Sequence, residues 1–189
     1  MTKNTKKAEK FLDNFVVGID KALDKAIEEE KQELKTKRKS KLPVILEPEE
    51  AQNLLKQPNK RYPTGLRNKA MMSLMLHCGL RVSEVVNLRP GNINLTKGKL
   101  RVESGKGNKD RDLAIPEYLT DLLDSWRKKR SPSDYFFSTL KGKKLSSRYL
   151  QQMVKRYAQK AGLNKRISPH TLRHTYATQY YKQTKILKH

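Results

Sequence analysis

The apolar positions of this chain fall mostly at helical spacing. In residues 6–36, Ala8, Phe11, Leu12, Phe15, Ile19, Ala22, Leu23, Ala26 and Ile27 recur every three or four residues, with charged side chains between them. That pattern predicts a long amphipathic helix, either packed on a neighbour or self-associating. A basic run, KTKRKSK at 35–41, carries no apolar residue and reads as a linker, lying against phosphates or simply in water. Pro43 opens the next unit. A short helix is predicted over Glu47–Gln57 with Leu54 and Leu55 inward, and Pro58 and Pro63 break the chain after it. Leu66–Cys78 is apolar on most of its surface, which predicts a central helix ended by Gly79. A fresh helix follows through RVSEVVNL, burying Val82, Val85, Val86 and Leu88, and Pro90–Gly91 is a turn.

Period-two alternation appears only once. Lys99–Glu103 and Asp110–Ile115 flank SGKGNK, a glycine-containing loop, and together predict a β-hairpin. Helical spacing then returns from Pro116 to about Arg130, with Leu119, Leu122, Leu123 and Trp126 inward. The apolar run Tyr135–Phe137 suggests an edge strand. Ser146 is placed to cap a helix over Ser147–Ala161 that buries Leu150, Met153, Val154 and Tyr157 and ends at Gly162. The last helix starts at Ser168–Pro169, a hydroxyl cap followed by a proline in the first turn. The fold class predicted is mainly α with a small antiparallel β-hairpin sheet. Two regions are expected: residues 1–41, a helix and basic linker, and residues 42–189, the domain proper.

Charge narrows the partner. Lys and Arg number 42 against 19 Asp and Glu, a formal net charge of +23, which points to a polyanion, nucleic acid first. No stretch approaches the roughly 20 apolar residues of a membrane span. The N-terminal MTKNTKKAEK lacks the apolar core of a signal peptide. The single cysteine, Cys78, sits in an apolar run and reads as a reduced, buried thiol. A cytoplasmic, nucleoid-associated location without membrane contact is the expectation. No clustered ligand set suggests a metal.

The candidate chemistry lies in SPHTLRHTY, residues 168–176. His170 and Arg173, at i and i+3, share one helix face, beside backbone N–H groups that favour anions. Arg81 and Glu84 have the same spacing earlier in the chain. Lys106 and Lys109 are on the hairpin tip.

GLRVSE, then GKGNKDR on a hairpin, then HTLRH, in that order, resemble the signatures of the tyrosine recombinase (phage integrase) family. The resemblance runs from about Leu42 to Tyr181, and Lys-Leu-Pro at 41–43 resembles the start of that family's catalytic domain. It implies that fold, and site-specific DNA recombination or integration through a 3′-phosphotyrosyl intermediate, without cofactor or metal. It implies double-stranded DNA as partner and self-association on it, tetrameric in the complete enzyme. Arg81 and Arg173 would clamp the phosphate, Lys106 would protonate the departing sugar oxygen, and His170 would move a proton or donate to the phosphate. Glu84 would hold Arg81, while Lys109 and Arg111 would contact DNA. The family's second histidine or tryptophan and its nucleophilic tyrosine lie farther beyond the motif arginine than His189 does. The expectation is therefore a chain without its nucleophile: Tyr176 is expected in the core, and Tyr180 and Tyr181 too far along the helix. An alternative expectation is a catalytically inactive DNA-binding regulator of recombination. The family's larger N-terminal DNA-clamping domain does not fit in residues 1–41.

Overall fold

The computed structural model describes residues 44–103 and 110–186, with side chains to residue 182. These belong to a compact unit spanning residues 43–189. The predicted helix over 6–36, the basic run 35–41 and the hairpin tip with Lys106 and Lys109 lie outside the described residues.

In order, the elements are helix α1 (Pro48–Lys56), α2 (Pro63–His77) and α3 (Val82–Asn87), a 3-10 turn (Pro90–Asn92), and strands β1 (Ile93–Asn94), β2 (Lys99–Val102) and β3 (Arg111–Ala114). Helices α4 (Glu117–Lys129), α5 (Ser147–Lys160) and α6 (Pro169–Ile186) complete the unit. The central helix is α2. Its buried side chains run from Leu66 through Leu76 with few gaps, Lys69 being the main exception, as expected of a helix with partners on most sides. It packs against α1, α3, α4 and α6.

Three of its buried residues, Arg67, Asn68 and Ser73, are polar. Arg67 donates from Nη1 to the Ser138 carbonyl at 2.7 Å and from Nη2 to the Tyr149 hydroxyl at 2.6 Å. Tyr149 donates on to Asn68, which donates to the Tyr157 hydroxyl at 3.2 Å. This network ties α2 to α5 through side chains that the apolar reading of Leu66–Cys78 passed over. Buried polar groups need such partners because desolvation without them is costly.

Caps set the helix starts. The Glu50 carboxylate accepts from the Glu47 N–H at 2.8 Å, and Ser146 Oγ accepts from the Tyr149 N–H at 3.1 Å. Ser168 Oγ receives the Thr171 N–H at the start of α6, as the sequence predicts. One turn on, Thr175 accepts from the Leu46 N–H at 2.9 Å, fixing the chain ahead of α1 to α6. Pro63, read from the sequence as a breaker, is instead the first residue of α2, where its missing N–H costs nothing.

The hairpin forms in register, Leu100 opposite Leu113 and Val102 opposite Arg111. Leu100 and Val102 face the core while Lys99 and Arg101 face out. A third strand, β1, pairs with β2 on its other side. At two residues it is too short to show any alternation. Tyr135–Phe137, by contrast, is not an edge strand. Phe136 and Phe137 are fully buried plugs. The Phe136 N–H bonds the Leu88 carbonyl at 2.6 Å, and its own carbonyl accepts from Trp126 Nε1 at 2.9 Å. Side-chain and loop partners satisfy this backbone, so it needs no ladder. Among the described residues no helix is long and apolar enough to cross a membrane.

Candidate functional site

The site is built where α2 ends. Gly79 has φ +66°, the left-handed conformation that stops the helix. A side chain is excluded there on a second count: a Cβ would lie 2.3 Å from Cδ1 of Tyr176. The turn releases the chain into α3, with Arg81 at its N-cap rather than inside the helix. The Arg81 N–H donates to Glu84 Oε2 at 2.7 Å and its Nη1 donates to Glu84 Oε1 at 2.9 Å. The same carboxylate receives both terminal nitrogens of Arg111, at 3.0 and 2.8 Å. Glu84 is nearly enclosed, with 9% of its side chain exposed, whereas Arg81 is 47% exposed.

From the opposite side α6 brings Arg173, which donates to the Gly79 carbonyl. It is half-buried, and burial followed by the nearby Arg81 pushes its guanidinium below the ordinary value, with Arg111 adding to the shift and Glu84 opposing it. At neutral pH it stays charged. Three guanidiniums thus gather around one carboxylate, and among the described residues no second carboxylate pairs with Arg81, Arg111 or Arg173, so the cluster carries surplus positive charge. Such a cluster has the charge and the forked donors that an oxyanion with paired oxygens fits.

His170, one turn before Arg173, is exposed. It opens onto a cleft of about 900 Å³ that Val82, Lys155, Lys165 and Arg166 also line. Of the sequence-predicted residues, then, Arg81, Glu84, Arg111 and Arg173 form one cluster. His170 stands beside it on the helix that carries Arg173. Lys106 and Lys109 belong to the segment outside the described residues, at whose end Arg111 begins β3. Two features escaped the sequence reading. The Gly79 carbonyl is an anchor for Arg173 as well as a helix stop, and Arg111 is the second partner of Glu84. A basic residue at the foot of the hairpin was the available signal for the latter.

Tyr176 is half-buried, with its ring over Gly79 and stacked on Tyr180 at 6.0 Å between centroids. Burial, chiefly, raises its hydroxyl above the ordinary phenol value. Cys78, directly behind the turn, is 2% exposed, and burial pushes its thiol up to about 12. A thiol-specific reagent at pH 8 is accordingly expected to leave the native protein unmodified and to label one thiol in denaturant. Rapid native labelling would contradict this placement.

A model of the phage integrase family matches residues 45–186. The chain belongs to this family. Tyrosine recombinase XerD of Staphylococcus epidermidis is 37% identical over 149 residues, 75% of this chain and 50% of its own length. XerD of Halalkalibacterium halodurans shows the same identity and coverage. The chain therefore spans about half the length of these curated relatives. Among solved structures, XerA recombinase superposes with a TM-score of 0.67 at 28% identity, over 76% of this chain and 52% of that one. XerH, solved bound to its difH substrate, gives 0.65 at 28% identity, over 76% and 44%. The lambda integrase catalytic core gives 0.61 over 74% and 84%; at 19% identity that likeness concerns the fold. In fold, mainly helical with a small antiparallel sheet, this integrase-family domain is what the sequence predicted.

Within this cluster, Glu84 sets a pH dependence. Burial raises its carboxyl, but the hydrogen bonds from Arg111 and Arg81 outweigh this and hold it below its ordinary 4.5. A carboxylate with a lowered folded value stabilises above its unfolded value, and that stability fades as pH falls through the folded one. Glu84→Gln is expected to cost about 1.5–3 kcal/mol at pH 7, the range for lost hydrogen bonds to a charged group. The gap to wild type should close as pH drops below 4.5. Urea unfolding at several pH values measures it; a gap independent of pH would contradict the assignment.

Proposed function

We propose that this chain is the catalytic domain of a tyrosine-type site-specific recombinase acting on double-stranded DNA. The observation that carries the reading is the grouping of Arg81, Arg111 and Arg173 around Glu84, with His170 exposed alongside. In-line attack on a phosphodiester builds negative charge on its non-bridging oxygens, and fixed guanidiniums stabilise that charge without reorganising. Arg81 and Arg173 grip these oxygens. Glu84 holds Arg81 from below, and Arg111 contributes to the same field while contacting DNA beside it. His170 exchanges a proton with the reacting oxygens. Lys106 is the general acid for the departing sugar oxygen, with Lys109 on the neighbouring backbone. The reaction runs through a 3′-phosphotyrosyl intermediate, requires no metal or cofactor, and takes place in a self-associated complex on DNA.

The nucleophile is none of Tyr176, Tyr180 or Tyr181. The Tyr176 ring is committed to the surface of Gly79. Tyr180 lies seven residues past Arg173, about 10 Å along the helix at roughly 1.5 Å per residue. The chain is therefore expected to bind duplex DNA without cleaving it. A suicide duplex, incubated with the chain and resolved on a denaturing gel, tests this: no covalent adduct is expected, and an adduct from this chain alone would contradict it. Adding the C-terminal segment of a full-length relative should then produce an adduct that Arg173→Ala abolishes. Duplex binding with no adduct even then would favour a DNA-binding regulator of recombination.

A further inference from the structure

At the far end of α2 from the arginine cluster, five cationic side chains line one concavity of about 590 Å³: Lys56, Lys60, Arg61, Lys69 and Lys160. No acidic residue lines it. Among the described residues none of the five is in an ion pair, whereas Lys165 and Lys128, elsewhere on the surface, have found carboxylates. Asp121 lines the neighbouring cavity that Lys56, Lys60 and Lys69 also line, but among the described residues it pairs with none of them; like charges gathered without a paired counter-charge repel each other, so the arrangement suits an external anion. Lys69 registers this: burial, then the charge of Lys60, push its amine below the ordinary value.

The basin is also preformed. The turn presenting Lys60 and Arg61 is held by the Arg61 N–H on Asn59 Oδ1 at 3.0 Å and by the Tyr62 N–H on the Asn59 carbonyl at 3.3 Å. Gly65 of α2 packs so closely on that turn that a Cβ there would sit 2.0 Å from the Asn59 oxygen. The cations thus come from three rigid places, the end of α1, this turn with α2, and the end of α5.

We propose that this basin is a second phosphate-binding surface, holding the backbone of the same DNA duplex on the flank of the segment gripped by Arg81 and Arg173. The identity of the ligand rests on the duplex-DNA reading above; the need for an anion rests on the basin alone. The length of α2 separates the two sites by roughly 20 Å, at about 1.5 Å per residue. A single duplex spans that distance in about six base pairs at 3.4 Å each. A basic track joins the sites. Lys160 follows Gln159, and Gln159, Lys155 and Arg166 line the cleft onto which His170 opens.

The test neutralises Lys56, Lys60, Arg61 and Lys160 to Gln together, leaving the half-buried Lys69 in place. A control chain with Lys97, Lys129, Lys141 and Lys143 changed to Gln loses the same charge from other exposed positions. Thermal melting confirms that both are folded. Affinity is then measured against salt on a duplex of about 30 base pairs, with each neutralised phosphate contributing about 0.9 to the log–log slope. On it the basin variant is expected to bind roughly 10- to 100-fold more weakly than the control, with a slope shallower by about 1.8–2.7, two or three phosphates. Equal behaviour of the two overturns the proposal. So does a loss that appears only when bridging between two labelled duplexes is measured, because the basin would then hold a second duplex. An Arg173→Ala chain in the same series scores the recombinase reading separately: its indifference to Arg173 would sink that reading and leave the basin comparison legible.

Discussion

Gly79→Ala is expected to destabilise the protein by about 2–5 kcal/mol and to disable the site with it. Two costs add. An L-residue in the left-handed conformation costs about 1–2 kcal/mol. The new methyl also meets the Tyr176 ring, whose Cδ1 would lie 2.3 Å away. Overpacking of this kind typically costs about 1–3 kcal/mol. The site suffers because Gly79 does three things at once: it ends α2, aims the chain toward Arg81, and offers its carbonyl to Arg173. The two costs separate in a double-mutant cycle. On a Tyr176→Ala background the clash is gone, so Gly79→Ala should then cost only the conformational part, about 1–2 kcal/mol. Urea unfolding of the four proteins measures both terms. A single-variant loss under about 0.5 kcal/mol would mean that the turn relaxes freely and does not position the site.

Removing the arginine clamp is the second large effect. A hydrogen bond to a charged partner contributes about 1.5–3 kcal/mol. Arg81→Ala or Arg173→Ala should accordingly weaken duplex binding about 10- to 100-fold, and the double variant more, roughly 10²- to 10⁴-fold. Their effects on folding should differ. Arg81 is largely exposed and its loss leaves Glu84 still paired with Arg111. Arg173 is half-buried with the Gly79 carbonyl as its acceptor, so its removal should also cost some stability. Comparing unfolding with binding for each variant keeps the two contributions apart.

What the sequence made legible follows from physics that acts over one helical turn. The i, i+3 spacings of Arg81 with Glu84 and of His170 with Arg173, the Ser168 cap and the glycine stop at Gly79 are local, and each is present in the structure. The alternation of Lys99–Glu103 and Asp110–Ile115 likewise gave a real hairpin. The failures are non-local. Apart from a long contact between the two, Arg67 and Asn68 are satisfied by hydroxyls and a carbonyl more than seventy residues away, so local sequence does not mark a buried network. Phe136 and Phe137 look like a strand because they are aromatic and apolar. They are loop residues because Trp126 and Leu88 supply their backbone partners. The link between Arg111 and Glu84 spans 27 residues and depends on hairpin register, which charge patterning does not reveal. The gathering of the arginines into one place was legible only through the order of the motifs.

That gathering is the central claim: Arg81 and Arg173 meet at one phosphate. The salt dependence of duplex binding tests it, because the slope counts neutralised phosphates at about 0.9 each. If both arginines hold the same phosphate, either one alone still neutralises it. Each single variant should then lose affinity with little change in slope, and the double variant should lower the slope by about 0.9. Single variants that each lower it by about 0.9, with a double variant near 1.8, would place the two arginines on different phosphates and contradict the account.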